Sequence, residues 1–188
     1  MMSKNIAHKL GQGIAPQDFI DGMTVNRDKL TNWYDRFVWD EDKKAAFQQL
    51  RNRRNLRCAI IASDWCGDVV RNLPVVLKVV EEAGIPTEIF IMEQHLDLID
   101  QFLTLGGRAI PKVLFTNQDG NVLAEWGPRP AYVQEPMVRF KQENPDPKAP
   151  DYDEKKTAAY EEILKRYGKG TDYQKLIVDE LYSLLSAI

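Results

Sequence analysis

The chain is short of cysteine and histidine and has no long apolar run. Two cysteines, Cys58 and Cys66, in 188 residues are too few for a disulfide framework, and a chain of this length does not need one. With only two distant histidines, His8 and His95, beside them, they make a poor zinc set, so neither metal nor cofactor is expected. No apolar run approaches the length of a membrane span. The N-terminal MMSKNIAHKLGQGIAP lacks the apolar region of a secretory signal. These absences give the expectation of a cytoplasmic protein with no membrane partner. Charge of one sign is missing too: acidic and basic residues are interspersed to a net −3, which leaves no basic footprint for nucleic acid. In a reducing compartment, a cysteine motif is more often catalytic or metal-binding than structural.

What is present fits one domain over 1–188 with room for a proper core. The first ten or so residues read as frayed. Residues 16–54 read as three short helices: one opened by Pro16, one capped by Asn26 or Thr24, and one, EDKKAAFQQLRNRR, capped by Asp40. The texture then changes. LRCAIIAS, 56–63, is a short apolar run suited to a buried strand. DVVRNLPVVLKVVEEAG follows as a helix kinked at Pro74. TEIFIM is a second strand, and HLDLIDQFLTLGG a helix with Leu96, Ile99, Phe102 and Leu103 inward, closed by Gly106 and Gly107. PKVLFTNQDGNVLAEW is a hairpin about Asp119-Gly120, and AYVQEPMVRFKQ a last helix of this unit. The order over 55–142 is β-α-β-α-β-β-α, with the first two strands parallel across a right-handed crossover. A proline-rich stretch and two helices fill 143–188. Their apolar stripes, including Tyr160, Ile163, Leu164, Tyr167, Leu181 and Leu185, need a surface to bury. The rest of this chain is one such surface; the other is a second copy, as in a homodimer.

The chemistry centres on SDWCGDVVRNLP, Ser63–Pro74. Cys66 stands where a buried strand runs into a helix. There, free backbone N–H groups and the positive end of the helix dipole stabilise a thiolate. Gly67 permits close approach by another chain, and Trp65 shields one flank. Asp68 opposes the dipole, because a nearby negative charge disfavours the thiolate. The balance gives an expected thiol pKa modestly below the free value of about 8.5. Cys58 lies eight residues before Cys66. At about 3.3 Å per extended residue, the pair exceeds the ~7 Å Cα reach of a disulfide, so Cys58 reads as an inert buried thiol.

Three markers in order, WCG before a helix with proline eight residues after the cysteine, GGRAIPKVLF, and EWGPRP, resemble the thioredoxin superfamily, in a bacterial branch. The resemblance covers roughly 56–141. It implies a central mixed sheet flanked by helices, here with helical extensions at 1–54 and 143–188. It also implies that Pro111 is a cis-proline packed against Cys66. The backbone of Ile110 would then pair with an extended substrate strand, and the loop carrying Arg129 would border the site.

The departure from the family motif shapes the function. Thioredoxins carry WCGPC; this chain has WCGDV. Val69 replaces the resolving cysteine, so a mixed disulfide at Cys66 has no release within the motif. The resulting expectation is a monothiol thiol–disulfide oxidoreductase in which Cys66 exchanges with a protein or small-molecule thiol or disulfide and an external thiol completes the cycle. Ile110 and Pro111 would align the partner. Trp65, Gly67, Asp68, Arg108 and Arg129 would shape the pocket, the two arginines holding a carboxylate or offsetting Asp68. The alternative is a redox-inactive binding module using the same groove. An iron–sulfur site with an external thiol, as in some glutaredoxins, is a third reading, disfavoured by Asp68 and the shortage of ligands.

Overall fold

The computed structural model of the chain describes residues 4–52 and 55–188. Three short helices come first, α1 (Pro16–Asp21), α2 (Arg27–Asp35) and α3 (Glu41–Gln49). Asp40 caps α3, its carboxylate accepting from the Lys43 N–H. Arg53 and Arg54, the expected end of that helix, lie outside the described residues. Neither Asn26 nor Thr24 caps α2 through its side chain. Instead Asn26, at φ 61°, donates its amide to the Asp64 carbonyl, and Thr24 gives both its N–H and its hydroxyl to the Asp64 carboxylate. The loop before α2 is thus tied to the residue two before Cys66.

The central unit is β1 (Arg57–Ala62), α4 (Gly67–Glu82), β2 (Thr87–Ile91), α5 (Leu96–Ile99), β3 (Lys112–Thr116), β4 (Val122–Trp126) and α6 (Ala131–Glu143). The four strands form one sheet in the order β2-β1-β3-β4. β1 runs parallel to β2 and antiparallel to β3, and β3 and β4 are antiparallel. Burial explains why β1 is a near-continuous apolar run: from Cys58 to Ala62 every residue is buried. α4 continues through Pro74 and lays Val69, Leu73, Val76 and Val80 into the core. This is the mixed sheet flanked by helices that the thioredoxin resemblance implies, with helical extensions on both sides.

Two local expectations fail. Residues 95–107 are helical only over Leu96–Ile99. Leu105 takes a left-handed φ of 51°, and Thr104 and Gly107 exchange backbone hydrogen bonds of 2.9 and 3.0 Å, so a tight turn competes with the helix. Ile99 and Phe102 stay buried, whereas Leu96 and Leu103 are exposed. The N-terminal segment, for its part, is held from Lys4 onward. Ile6 is fully buried, its N–H donates to the Gly120 carbonyl, and Val122 N–H donates to the Lys4 carbonyl. Gly120, at φ 80°, has no room for a Cβ against the Ala7 backbone, so the hairpin turn doubles as the seat of this segment. Residues 1–3 lie outside the described residues.

The last two helices are α7 (Tyr152–Tyr167) and α8 (Asp172–Ser186). α7 packs along α6, and α8 packs on α4 and β4. Ile163, Tyr167, Tyr173, Ile177, Leu181 and Leu185 are buried within the chain; Tyr160 and Leu164 remain exposed. Among the described residues no helix is long and apolar enough to cross a membrane.

Candidate functional site

Cys66 is the N-cap residue of α4, with extended backbone. Its sulfur faces the strand-opening loop and donates to the Ile110 carbonyl at 3.4 Å. The Ile110–Pro111 peptide bond is cis. Ile110 is buried, and its carbonyl is occupied by the resting thiol. Cys66 itself is only 9% exposed. That burial pushes the thiol up, against the expectation of a value below the free thiol. The Val69 N–H pulls it back down, the Asp68 carboxylate adds to the rise, and the Asp68 N–H and the Arg129 guanidinium oppose it. The helix start acts as expected, but desolvation exceeds it. The sequence pattern located the cysteine without revealing how deeply it lies.

Asp68 does not stand alone beside the thiol. Arg129 forks onto it, with Nε and the second terminal nitrogen at 2.8 and 2.7 Å from its two oxygens. The Arg129 side chain is 9% exposed and that of Asp68 17%. Such an enclosed bidentate pair is stronger than a surface one. Tyr167, from α7, donates its hydroxyl to Asp68 at 2.7 Å. Burial and then the Asp68 charge push that phenol well above its ordinary value. Asn72, fully buried one turn along α4, donates its amide to the Tyr167 hydroxyl and the Pro128 carbonyl. Gln134 of α6 accepts from the third arm of Arg129. The network therefore clamps α4, the 127–130 loop, α6 and α7 together under the cysteine. Gly127, at φ 110°, lets that loop lie against the Pro111 carbonyl, where a Cβ has no room.

The remaining expected residues divide. Trp65 is 57% exposed and flanks the cysteine; its indole N–H donates to Glu93 at 2.7 Å, and Ser63 donates to the other Glu93 oxygen at the same distance. Gly67 is exposed with open space where a Cβ would lie. Arg108 lines the site, but its guanidinium forks onto Asp100 at 2.6 and 2.9 Å in an exposed pair. Neither predicted arginine is therefore a free carboxylate holder: each already has an aspartate. Arg71 stacks on the Trp33 and Tyr167 rings. Cys58 is 1% exposed on β1 and burial drives its thiol strongly up; both cysteines are free.

Together these residues bound a cavity of about 510 Å³ whose walls include Trp65, Cys66, Ile110, Arg129, Met137 and Tyr160. Lys141 of α6 and Lys156 of α7 also line it. A larger cavity, about 600 Å³, lies between α1, α2 and the end of α4, away from the cysteine. Among the described residues, no group of three or more His, Cys, Asp and Glu residues is placed to hold a metal ion. Sequence reasoning missed Glu93, Asn72, Gln134, Lys141, Lys156 and the inward role of Tyr167. The only available signal was the stripe on 152–167, which marks a buried face but not what it faces.

Comparison with known proteins agrees with this architecture. No curated protein matches the chain. A crystal structure of a protein of unknown function from Pseudomonas aeruginosa is similar in fold, at 18% identity, with 98% of each chain covered and a TM-score of 0.66. An HIV epitope-scaffold is similar at 17% identity, covering 98% of this chain and 99% of its own, with a TM-score of 0.67. At such identities the likeness concerns the fold alone. A thioredoxin family model matches residues 13–170, the span from the N-terminal helices through the network to α7, and this chain belongs to the thioredoxin family.

Proposed function

We propose that the protein is a thiol-exchange protein acting through Cys66 alone. The observation that carries the reading is the position of the sulfur. It lies at the start of α4, against the Ile110–Pro111 bond, on the wall of a 510 Å³ cavity. The Cys66 proton leaves to solvent, and the thiolate attacks one sulfur of a disulfide R–S–S–R′. The Cys66–S–S–R bond forms, the R–S–S–R′ bond breaks, and R′S⁻ leaves. With Val69 in place of a second thiol, a thiolate R″S⁻ from outside attacks sulfur R, giving R–S–S–R″ and returning Cys66 as thiolate. Burial raises the Cys66 thiol, which affects both steps. The resting state is protonated, so capture is slow at neutral pH. A high-pKa thiolate is also a poor leaving group, so the adduct persists. The protein would therefore hold a partner for longer than a dithiol reductase does. Trp65, steadied by Glu93, forms one flank of the docking cavity.

The burial of the cysteine favours a second reading, in which the same cavity binds partners without thiol chemistry. Intact-mass analysis after exposure to a small disulfide separates them. Thiol exchange gives one adduct per chain, mapped to Cys66, stable on removal of the reagent and released by added thiol. An unmodified chain would leave the binding module.

A further inference from the structure

The charge of the cavity at Cys66 is opposite to that of the chain. The protein carries a net −3, yet Arg108, Arg129, Lys141 and Lys156 line the cavity against a single lining carboxylate, Asp68. The two arginines are satisfied, by Asp100 and Asp68 respectively. The lysines are not. Lys141 donates to the Tyr152 hydroxyl at 2.7 Å and lies over the Tyr152 ring at 5.4 Å, neutral partners that leave it without a carboxylate among the described residues. Lys156 is half-buried, with no hydrogen-bond or ion-pair partner among the described residues. They come from neighbouring helices, α6 and α7, that pack side by side. Two ammonium groups without a carboxylate partner line a cavity of about 510 Å³, the size of ordinary small-ligand sites. They carry no geometric fork and so suit carboxylates of varied placement.

We propose that Lys141 and Lys156 form an anion subsite that makes Cys66 selective for small thiols and disulfides bearing carboxylates. This rests on the thiol-exchange reading above and names its substrate class. The step is unchanged: Cys66–S⁻ attacks the carboxylated disulfide, Cys66–S–S–R forms, and the other half leaves as an anionic thiolate. The subsite steers the reagent in and holds it. Cationic walls focus the field in a cleft with low-dielectric sides and raise the local concentration of anions. The predicted carboxylate holders, Arg108 and Arg129, shape the wall but are spent on aspartates.

The test uses three symmetric disulfides of similar size: anionic dithiodiglycolate, neutral bis(2-hydroxyethyl) disulfide and cationic cystamine. Adduct formation at Cys66 in the full chain is followed by intact mass, each rate divided by that of a small free thiol with the same reagent. The normalised rate is expected to favour the anionic over the cationic disulfide by about tenfold at low ionic strength, with the preference shrinking in high salt. In Lys141→Met/Lys156→Met the ratio of the anionic to the cationic rate, taken within the variant, falls toward unity. The salt series in the unaltered protein supplies the same readout if that variant folds poorly. Equal normalised rates for all three reagents, or a preference indifferent to salt and to both lysines, would overturn the subsite and leave thiol exchange standing. No adduct with any of the three would overturn both.

Discussion

The two cysteines share a chemistry and differ in where the chain puts them. Cys58 lies inside β1, 1% exposed, its backbone committed to the sheet. Burial alone governs it, with only the Thr87 hydroxyl opposing. Cys66 lies just past the end of the same strand, where β1 gives way to α4. Burial pushes it in the same direction, but two backbone N–H groups and an arginine pull against it and an aspartate pushes with it. In the strand interior a single hydroxyl, that of Thr87, tunes the Cys58 thiol. A thiol at a strand-to-helix junction is surrounded by groups that substitution can change. The comparison places the chemistry in the neighbours rather than in the cysteine itself.

Removing the strongest neighbour should break this contrast most. Arg129→Met leaves Asp68 without its ion partner in an enclosed site, and stability should fall by about 3–5 kcal/mol. The Cys66 titration should move up, since the charge that opposed burial is lost. Arg108→Met breaks the same fork at the surface, where water screens the pair and a far smaller loss is expected. Urea unfolding of both variants checks this, and equal losses would contradict the role given to burial. The second effect concerns alkaline pH. Both thiols are raised in the folded chain, so their contribution is intact below the unfolded thiol value, about 8.5. Above it the unfolded state releases protons that the folded state keeps, and stability is lost until the folded groups titrate. The slope per group is about 1.4 kcal/mol per pH unit. Cys58→Ala should flatten this limb further up the pH scale than Cys66→Ala, because Cys58 is shifted more. The tyrosines raised in the folded chain, Tyr34, Tyr167 and Tyr173, add their own slope from the unfolded phenol value of about 10 upward, so the comparison is read as the difference between the two variants. The smallest effect sharpens the contrast. Asp68→Asn removes the carboxylate that raises Cys66 and frees Arg129, so alkylation of Cys66 at neutral pH should quicken a few-fold. Cys58 should not change.

Periodicity and turn chemistry carried most of the fold. The isoleucine-rich β1, the Asp119-Gly120 hairpin and the Asp40 cap depend on residues close in sequence, and these are legible in one chain. The turn at Thr104–Gly107 and the anchoring of Ile6 depend on partners that local pattern does not reveal. The site divided in the same way. Trp65, Cys66, Ile110, Pro111 and Arg129 sit in recognisable segments. Tyr167 reaches Asp68 across ninety-nine residues, and Lys141 and Lys156 meet the cavity only because α6 and α7 pack together. The role of Arg108 was the least legible part, because an arginine's partner is set by whichever carboxylate the fold brings closest, and for Arg108 that is Asp100. For Arg129 that is Asp68, the very residue it was expected to offset.

The central claim is that Cys66 is a reactive thiol held protonated at rest by burial, beside an inert Cys58. The most direct test is the rate of iodoacetamide alkylation against pH in the native protein, resolved by peptide mass. The account predicts labelling at Cys66 with a midpoint above that of a free thiol, and no labelling at Cys58. A midpoint below the free thiol would contradict the dominance of burial, and an unlabelled Cys66 across the whole range would contradict thiol chemistry at this site.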